Sequence, residues 1–156
     1  LLKIKILGIG KDKDRWVSEA CDHYVKLLSR YAKIEFDYVP SPKASGSLSP
    51  EQVRKMESER LAGRLGHGFT IALVDQGTKV DSLGFAELLR KWQISSGGQI
   101  TFVIGGPHGL HPDFVSTTSL SLSLSPLTFS HQIVRLVLLE QLYRGFSILQ
   151  GTSYHK

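Results

Sequence analysis

Apolar residues recur along this chain with two periods, one of strands and one of helices. Residues 3–9 (KIKILGI) partly alternate and end among Gly8 and Gly10, which predicts a short strand. From 14 to 31, Trp16, Val17, Ala20, Tyr24, Leu27 and Leu28 fall at helical spacing, with Asp14 placed to cap. Residues 34–39 read as a second strand stopped by Pro40 and Pro42, and 40–49 (PSPKASGSLS) as a mobile surface loop. Pro50 opens a charged helix running to about Leu65, in keeping with proline's place in a first helical turn. Residues 69–74 (FTIALV) form a buried-type strand followed by Asp75-Gln76-Gly77, and 82–94 an amphipathic helix. Residues 100–104 are another strand, running straight into Gly105-Gly106-Pro107-His108-Gly109. Leu120, Leu122 and Leu124 alternate with serines, giving one apolar and one hydroxyl face, and 130–149 is the last helix. Strands alternating with helices predict an α/β fold with an open, mostly parallel sheet, in one domain spanning 1–156. Such sheets hold ligands at the carboxyl ends of their strands.

The last helix leaves almost no polar face: Ile133, Val134, Leu136, Val137, Leu138, Leu139, Leu142, Tyr143, Phe146, Ile148 and Leu149 surround it. A helix apolar all round must be covered on all sides, and one sheet covers one side. A homodimer is the economical cover; neighbouring loops are the alternative.

At 156 residues and 41% hydrophobic, the chain can bury a substantial core. The longest apolar stretch, near 133–142, contains Arg135 and Glu140 and is too short for the roughly 20 residues of a membrane span. A lone cysteine, Cys21, excludes an internal disulfide framework and a Cys-rich zinc site, and points to a reducing compartment. The net charge of +5 fits a polyanionic partner without requiring one. Its distribution says more: from Trp92 onward only Asp113, Arg135, Glu140, Arg144 and Lys156 are charged. The second half therefore reads as buried or engaged. The chain starts at Leu1 with lysines inside its first apolar run, which is not a secretory signal. The expected location is cytoplasmic, or an organelle interior (stroma or matrix) if an upstream targeting segment was removed.

Three segments after strands stand out as candidate ligand contacts: 73–77, the 105–109 turn, and 124–129 directly before His131. Glycine there permits close backbone approach to a ligand. Taken singly, each is a tight strand-to-helix turn; three in one short sheet favour a ligand. Gly8-Ile9-Gly10-Lys11 lacks the Walker spacing and the third glycine of the dinucleotide fingerprint. Of six histidines, no pair has the spacing of a helical zinc site, so no metal is expected. His23 and His67 read as surface residues, and His131 as either a helix-start structural group or an active-site group. Tyr154-His155-Lys156 is on composition an ordinary frayed end. It also groups an aromatic ring, an imidazole and a cation, which suit a nucleobase and its phosphate.

Together, KIKILGIGK, FTIALVDQGTKVDS, FVIGGPHGL and SLSLSPLTFSHQIVRLVLLEQLYRGFSILQGTSYHK resemble the ribosomal RNA large subunit methyltransferase H family, of the SPOUT class. The IGG-x-x-G turn, the T-F-x-H-Q helix entry and the Y-H-K end are specific in this order, and the resemblance spans essentially the whole chain. It implies an α/β fold with a C-terminal trefoil knot, a homodimer with its pocket at the interface, and S-adenosyl-L-methionine as cofactor. The implied reaction methylates N3 of a pseudouridine in large-subunit ribosomal RNA, within a large subunit or an assembled ribosome. Carried over, the cofactor positions are Leu73, Gly105, Leu124, Ser125, Pro126, Leu127, Thr128 and Phe129. Tyr154, His155, Lys156 and Arg135 are implied near the substrate. The attacking imide nitrogen must lose a proton, for which His155 is the first candidate and His131 the second. A nucleotide-binding or RNA-binding α/β module without transferase activity is the alternative reading.

Overall fold

A computed structural model of the chain describes residues 1–10, 14–42 and 46–156. The elements are β1 (Leu2–Ile9), α1 (Arg15–Leu28), β2 (Ala32–Val39), α2 (Pro50–Ala62), β3 (Phe69–Lys79), α3 (Ser82–Ser95), β4 (Gln99–Ile104), α4 (Pro112–Val115), β5 (Leu120–Ser123) and α5 (His131–Gln150). The expected strands and long helices are present; α4 is additional. The proposed surface loop has its centre, 43–45, outside the described residues, as does Lys11. Asp14 occupies the N-cap position of α1 in extended backbone, but its side chain makes no capping bond.

The strands pair in the order β2-β1-β4-β3-β5, all parallel. Alternate residues of β1 serve opposite faces: Ile4 and Ile6 enter one core cluster, Leu7 and Ile9 the other. Burial on both faces is why the central strands read as nearly continuous apolar runs. On the first face, Trp92 of α3 sits within 6.1 Å of the rings of Phe69, Phe85 and Phe102. The second face is covered by Leu61 of α2 and by Leu110 and Phe114 around α4.

Helix α5 packs against both α1 and α3. Gly145 permits the second contact, since a Cβ there would stand 3.2 Å from Leu89 and 3.7 Å from the Ala86 backbone. Two helices and the sheet thus bury one side of α5, including Leu138, Leu139, Leu142 and Phe146, where the sequence pattern named the sheet with a second copy or neighbouring loops as cover. What remains part-exposed is a stripe including Ile133, Leu136, Val137 and Glu140.

Strand β3 does not end at Val74. Leu73 and Thr78 both lie opposite Leu122 of β5, so residues 74–77 loop out of the ladder before pairing resumes. Gly77 makes this possible: a Cβ there would meet the Leu122 backbone at 2.6 Å. The turn expected from Asp75-Gln76-Gly77 is therefore a bulge within a longer strand, which pushes 74–76 outward at the carboxyl end of the sheet.

Candidate functional site

The looped-out part of β3 forms one wall of a cavity of 720 Å³ at the carboxyl ends of the strands. Its other walls are the 105–109 turn after β4 and the 128–131 segment entering α5. The volume falls within the range of about 300–1,000 Å³ usual for small-molecule sites. The 105–109 turn is closed by Gly109 N–H donating to the Gly106 carbonyl at 2.9 Å, with Gly109 in the left-handed region at φ 77°. Gly105 has no room for a side chain, because a Cβ would lie 2.7 Å from the Gly109 carbonyl carbon and 2.9 Å from the Leu110 nitrogen. The turn therefore packs backbone on backbone at Gly105, and Pro107 and His108 line the cavity beside it. The third wall is tied to the first by Thr128 Oγ1, which donates to Asp75 at 3.3 Å. Ser125 Oγ shapes the same segment by accepting from Leu127 N–H at 3.0 Å.

Of the residues expected to hold a cofactor, Leu73, Gly105, Thr128 and Phe129 line this cavity. Leu124, Ser125 and Leu127, again with Leu73 and Phe129, line a smaller adjoining recess. Pro126 is exposed and lines neither. His131, the first residue of α5, faces the main cavity beside Ser130, whose Oγ caps the helix by accepting from Ile133 N–H. Among the described residues, no three His, Cys, Asp or Glu side chains cluster as a metal site, and no helix is long and apolar enough to cross a membrane.

Arg135 is not at a surface where substrate could touch it. It is fully buried, and its guanidinium donates to the carbonyls of Ile9 and Gly10 at 3.2 and 2.6 Å. It also lies 4.3 Å from the centre of the Tyr38 ring, and Gly8 leaves it room. The expected substrate contact is in this chain a tie between α5 and the end of β1. Its loss would strand the buried Ile9 carbonyl and the part-buried Gly10 carbonyl and open a cavity, so Arg135→Ala is expected to cost about 3 kcal/mol. Urea unfolding measures this directly, and a loss below about 1 kcal/mol would show the tie to be dispensable.

The C-terminal tripeptide is docked rather than frayed. Gly151, at φ 70°, ends α5, with its N–H and that of Thr152 bonding back to Ile148 and Ser147. This left-handed cap reverses the chain and lays the tail along α5. Tyr154 Oη donates to Glu140 at 3.1 Å, and its ring packs edge-on against Tyr143 at 4.7 Å. Arg144 joins the group, bonding Glu140 at 2.7 Å, standing 4.8 Å from the Tyr154 ring centre and 3.2 Å from His155 Nδ1. Burial, with hydrogen bonds to Tyr24 and Glu140, raises the Tyr154 phenol and keeps it a donor. His131 and Glu140 are nine residues apart on α5, about 13 Å of helix rise. One chain's tail and its cavity therefore occupy different ends of α5.

Arg54 of α2 also lines the cavity, and sequence reasoning missed it. Nothing in that helix's charged pattern separates an inward arginine from solvated ones.

A family model described as "Predicted SPOUT methyltransferase" matches residues 2–155. The chain is similar to "Ribosomal RNA large subunit methyltransferase H" of Acetivibrio thermocellus, at 41% identity over 99% of this chain and 100% of the relative. The protein of the same name from Desulforamulus reducens is 39% identical, over the full length of both. Among solved structures, a "probable methylase family protein" from Haemophilus influenzae aligns with a TM-score of 0.59 and 14% identity, covering 98% of this chain and 70% of that one. A "Probable Methyltransferase" from Bordetella pertussis gives 0.52 and 12%, covering 91% and 95%. At these identities the structural matches support the fold.

Proposed function

We propose that this chain, which belongs to the SPOUT methyltransferase family and within it to the ribosomal RNA large subunit methyltransferase H group, methylates N3 of a pseudouridine in large-subunit ribosomal RNA. The cofactor is S-adenosyl-L-methionine. The observation that carries the reading is the convergence on one cavity of three segments that follow strands, all three expected as ligand contacts and matched by the resemblance to cofactor positions that include Leu73, Gly105, Thr128 and Phe129.

The residues fit such a group. Gly105 lets the 105–109 turn close tightly on its own backbone beside the cavity, since any Cβ would meet Gly109 and Leu110. Exposed N–H and C=O groups of residues 105–109 and 124–129 are suited to the edges of a purine, and Leu73, Leu124 and Phe129 to its faces. When bound, the cofactor supplies an electrophilic sulfonium methyl, which leaves the protein chiefly a positioning task. His131, at the cavity wall, is placed to accept a proton from the attacking nitrogen on that side. Arg144 orients His155 through Nδ1, and Tyr154 is fixed by Glu140 as a rigid stacking surface.

A homodimer belongs to this reading. The tail lies at the other end of α5 from its own chain's cavity, so a second copy is the economical way to bring a tail to a cavity. The part-exposed stripe with Ile133, Leu136 and Val137 is the surface such a partner would cover. Sedimentation at micromolar protein is expected to give a dimer; a well-folded monomer alone would overturn this part. The trefoil knot belongs to it too. What supports it is the path of the chain from edge strand β5 past the carboxyl end of β3 at Asp75 to that of β1 at Ile9. The compartment proposed is one that contains ribosomes, the cytoplasm or an organelle interior.

The test is methyl transfer from labelled cofactor to purified ribosomal particles. Label in large-subunit RNA is expected. Cofactor binding with no transfer to any ribosomal particle would favour the non-catalytic reading, and tight ATP binding in place of S-adenosylmethionine would favour a nucleotide-binding module.

A further inference from the structure

Helix α2 carries two adjacent polar residues that are buried, Glu57 at 1% exposure and Ser58 at 5%. Neither belongs to the cavity lining, and a helix this polar gains little by burying them. Both reach the loop after β4. Ser58 Oγ accepts from His111 N–H at 3.2 Å, holding the far end of that loop. Glu57 holds the near end by contact. A Cβ placed on Gly106 would lie 2.7 and 2.9 Å from the two carboxyl oxygens, so the carboxyl abuts the Gly106 backbone. Ser41 Oγ donates to Glu57 Oε2 at 2.9 Å and fixes it from the other side, while Oε1 is buried without a hydrogen bond among the described residues.

We propose that Glu57 is a positioning residue, a wedge set by Ser41 against Gly106 that fixes the shape of the 105–109 turn at the cavity wall. Its role in cofactor binding rests on the reading of that cavity given above. The wedge is short, polar and pinned at one oxygen, so it controls where Gly106 stands more tightly than an apolar side chain free to change rotamer. Burial raises the Glu57 carboxyl above its ordinary value, against the opposing effects of the Ser41 hydrogen bond and of His108 and Arg60. Glutamine keeps the shape of the side chain and an oxygen that can accept from Ser41 Oγ.

Two variants and two readouts test this. Glu57→Ala is expected to weaken S-adenosylmethionine binding about tenfold or more, because the turn is no longer held. Glu57→Gln is expected to stay within about threefold of wild type, a rescue that general destabilisation would not produce. The second readout needs no cofactor. Hydrogen exchange at Gly109 N–H, which closes the turn onto Gly106, should quicken about tenfold in Glu57→Ala and stay near wild type in Glu57→Gln. Unchanged exchange in Glu57→Ala, or a glutamine variant as impaired as the alanine one, would overturn the proposal. Wild-type protein that fails to bind the cofactor would refute the cavity reading, and the exchange result would still decide the role of Glu57.

Discussion

Gly105→Val is expected to abolish measurable S-adenosylmethionine binding, weakening it by at least about 100-fold. The first added atom would stand 2.7 and 3.0 Å from the carbonyl carbon and oxygen of Gly109 and 2.9 Å from the Leu110 nitrogen. All of these are backbone atoms, which cannot swing aside as a flexible side chain would. The 105–109 turn must therefore shift, and it forms a wall of the cavity. β-Branching worsens the conflict, since valine has one preferred χ1 rotamer in most backbones. Strand β4 itself ends at Ile104, so the sheet should survive and the circular dichroism should stay close to wild type. Calorimetry on the folded variant decides the matter. Wild-type affinity would remove the cofactor from this turn.

Deleting Tyr154-His155-Lys156 is expected to reduce single-turnover methyl transfer by at least about 100-fold, while cofactor affinity stays within about threefold. The tail is held by hydrogen bonds of Tyr154 with Glu140 and Tyr24, by Arg144 against both the Tyr154 ring and His155, and by ring packing on Tyr143. Its contacts on α5 run from Glu140 at mid-helix to Arg144, away from the chain's own cavity. Their loss should lower the melting temperature by only a few degrees, the scale of about 1 kcal/mol in a domain of this size. Near wild-type turnover would shift the proton-transfer role to His131. A parallel loss of cofactor affinity would mean that the tail closes the pocket.

Much of this was visible in the sequence because local pattern carried it. The strands are buried on both faces and read as apolar runs, and three of the segments that follow them converge in space on one cavity. The parts that were not visible depend on contacts distant in sequence. The resemblance implied Arg135 near the substrate, yet its partners at Ile9 and Gly10 lie 126 and 125 residues away. The continuation of β3 past Gly77 depends on its pairing a second time with Leu122, which no local rule registers. Glu57 and Arg54 were hidden because a charged helix reads as solvated on every face. The docked tail was more legible than its composition suggested. Gly151 after a long helix is a chain-reversal signal, and only its reading as flexible made the end look frayed.

The central claim is best tested by mass spectrometry of ribosomal RNA after incubation with this protein and cofactor carrying a trideuterated methyl group. A single labelled nucleoside is predicted, a pseudouridine methylated at N3 in the large-subunit RNA, absent when Gly105→Val replaces the wild-type protein. Unlabelled ribosomal RNA, from particles lacking the modification and with cofactor bound to the protein, would contradict it.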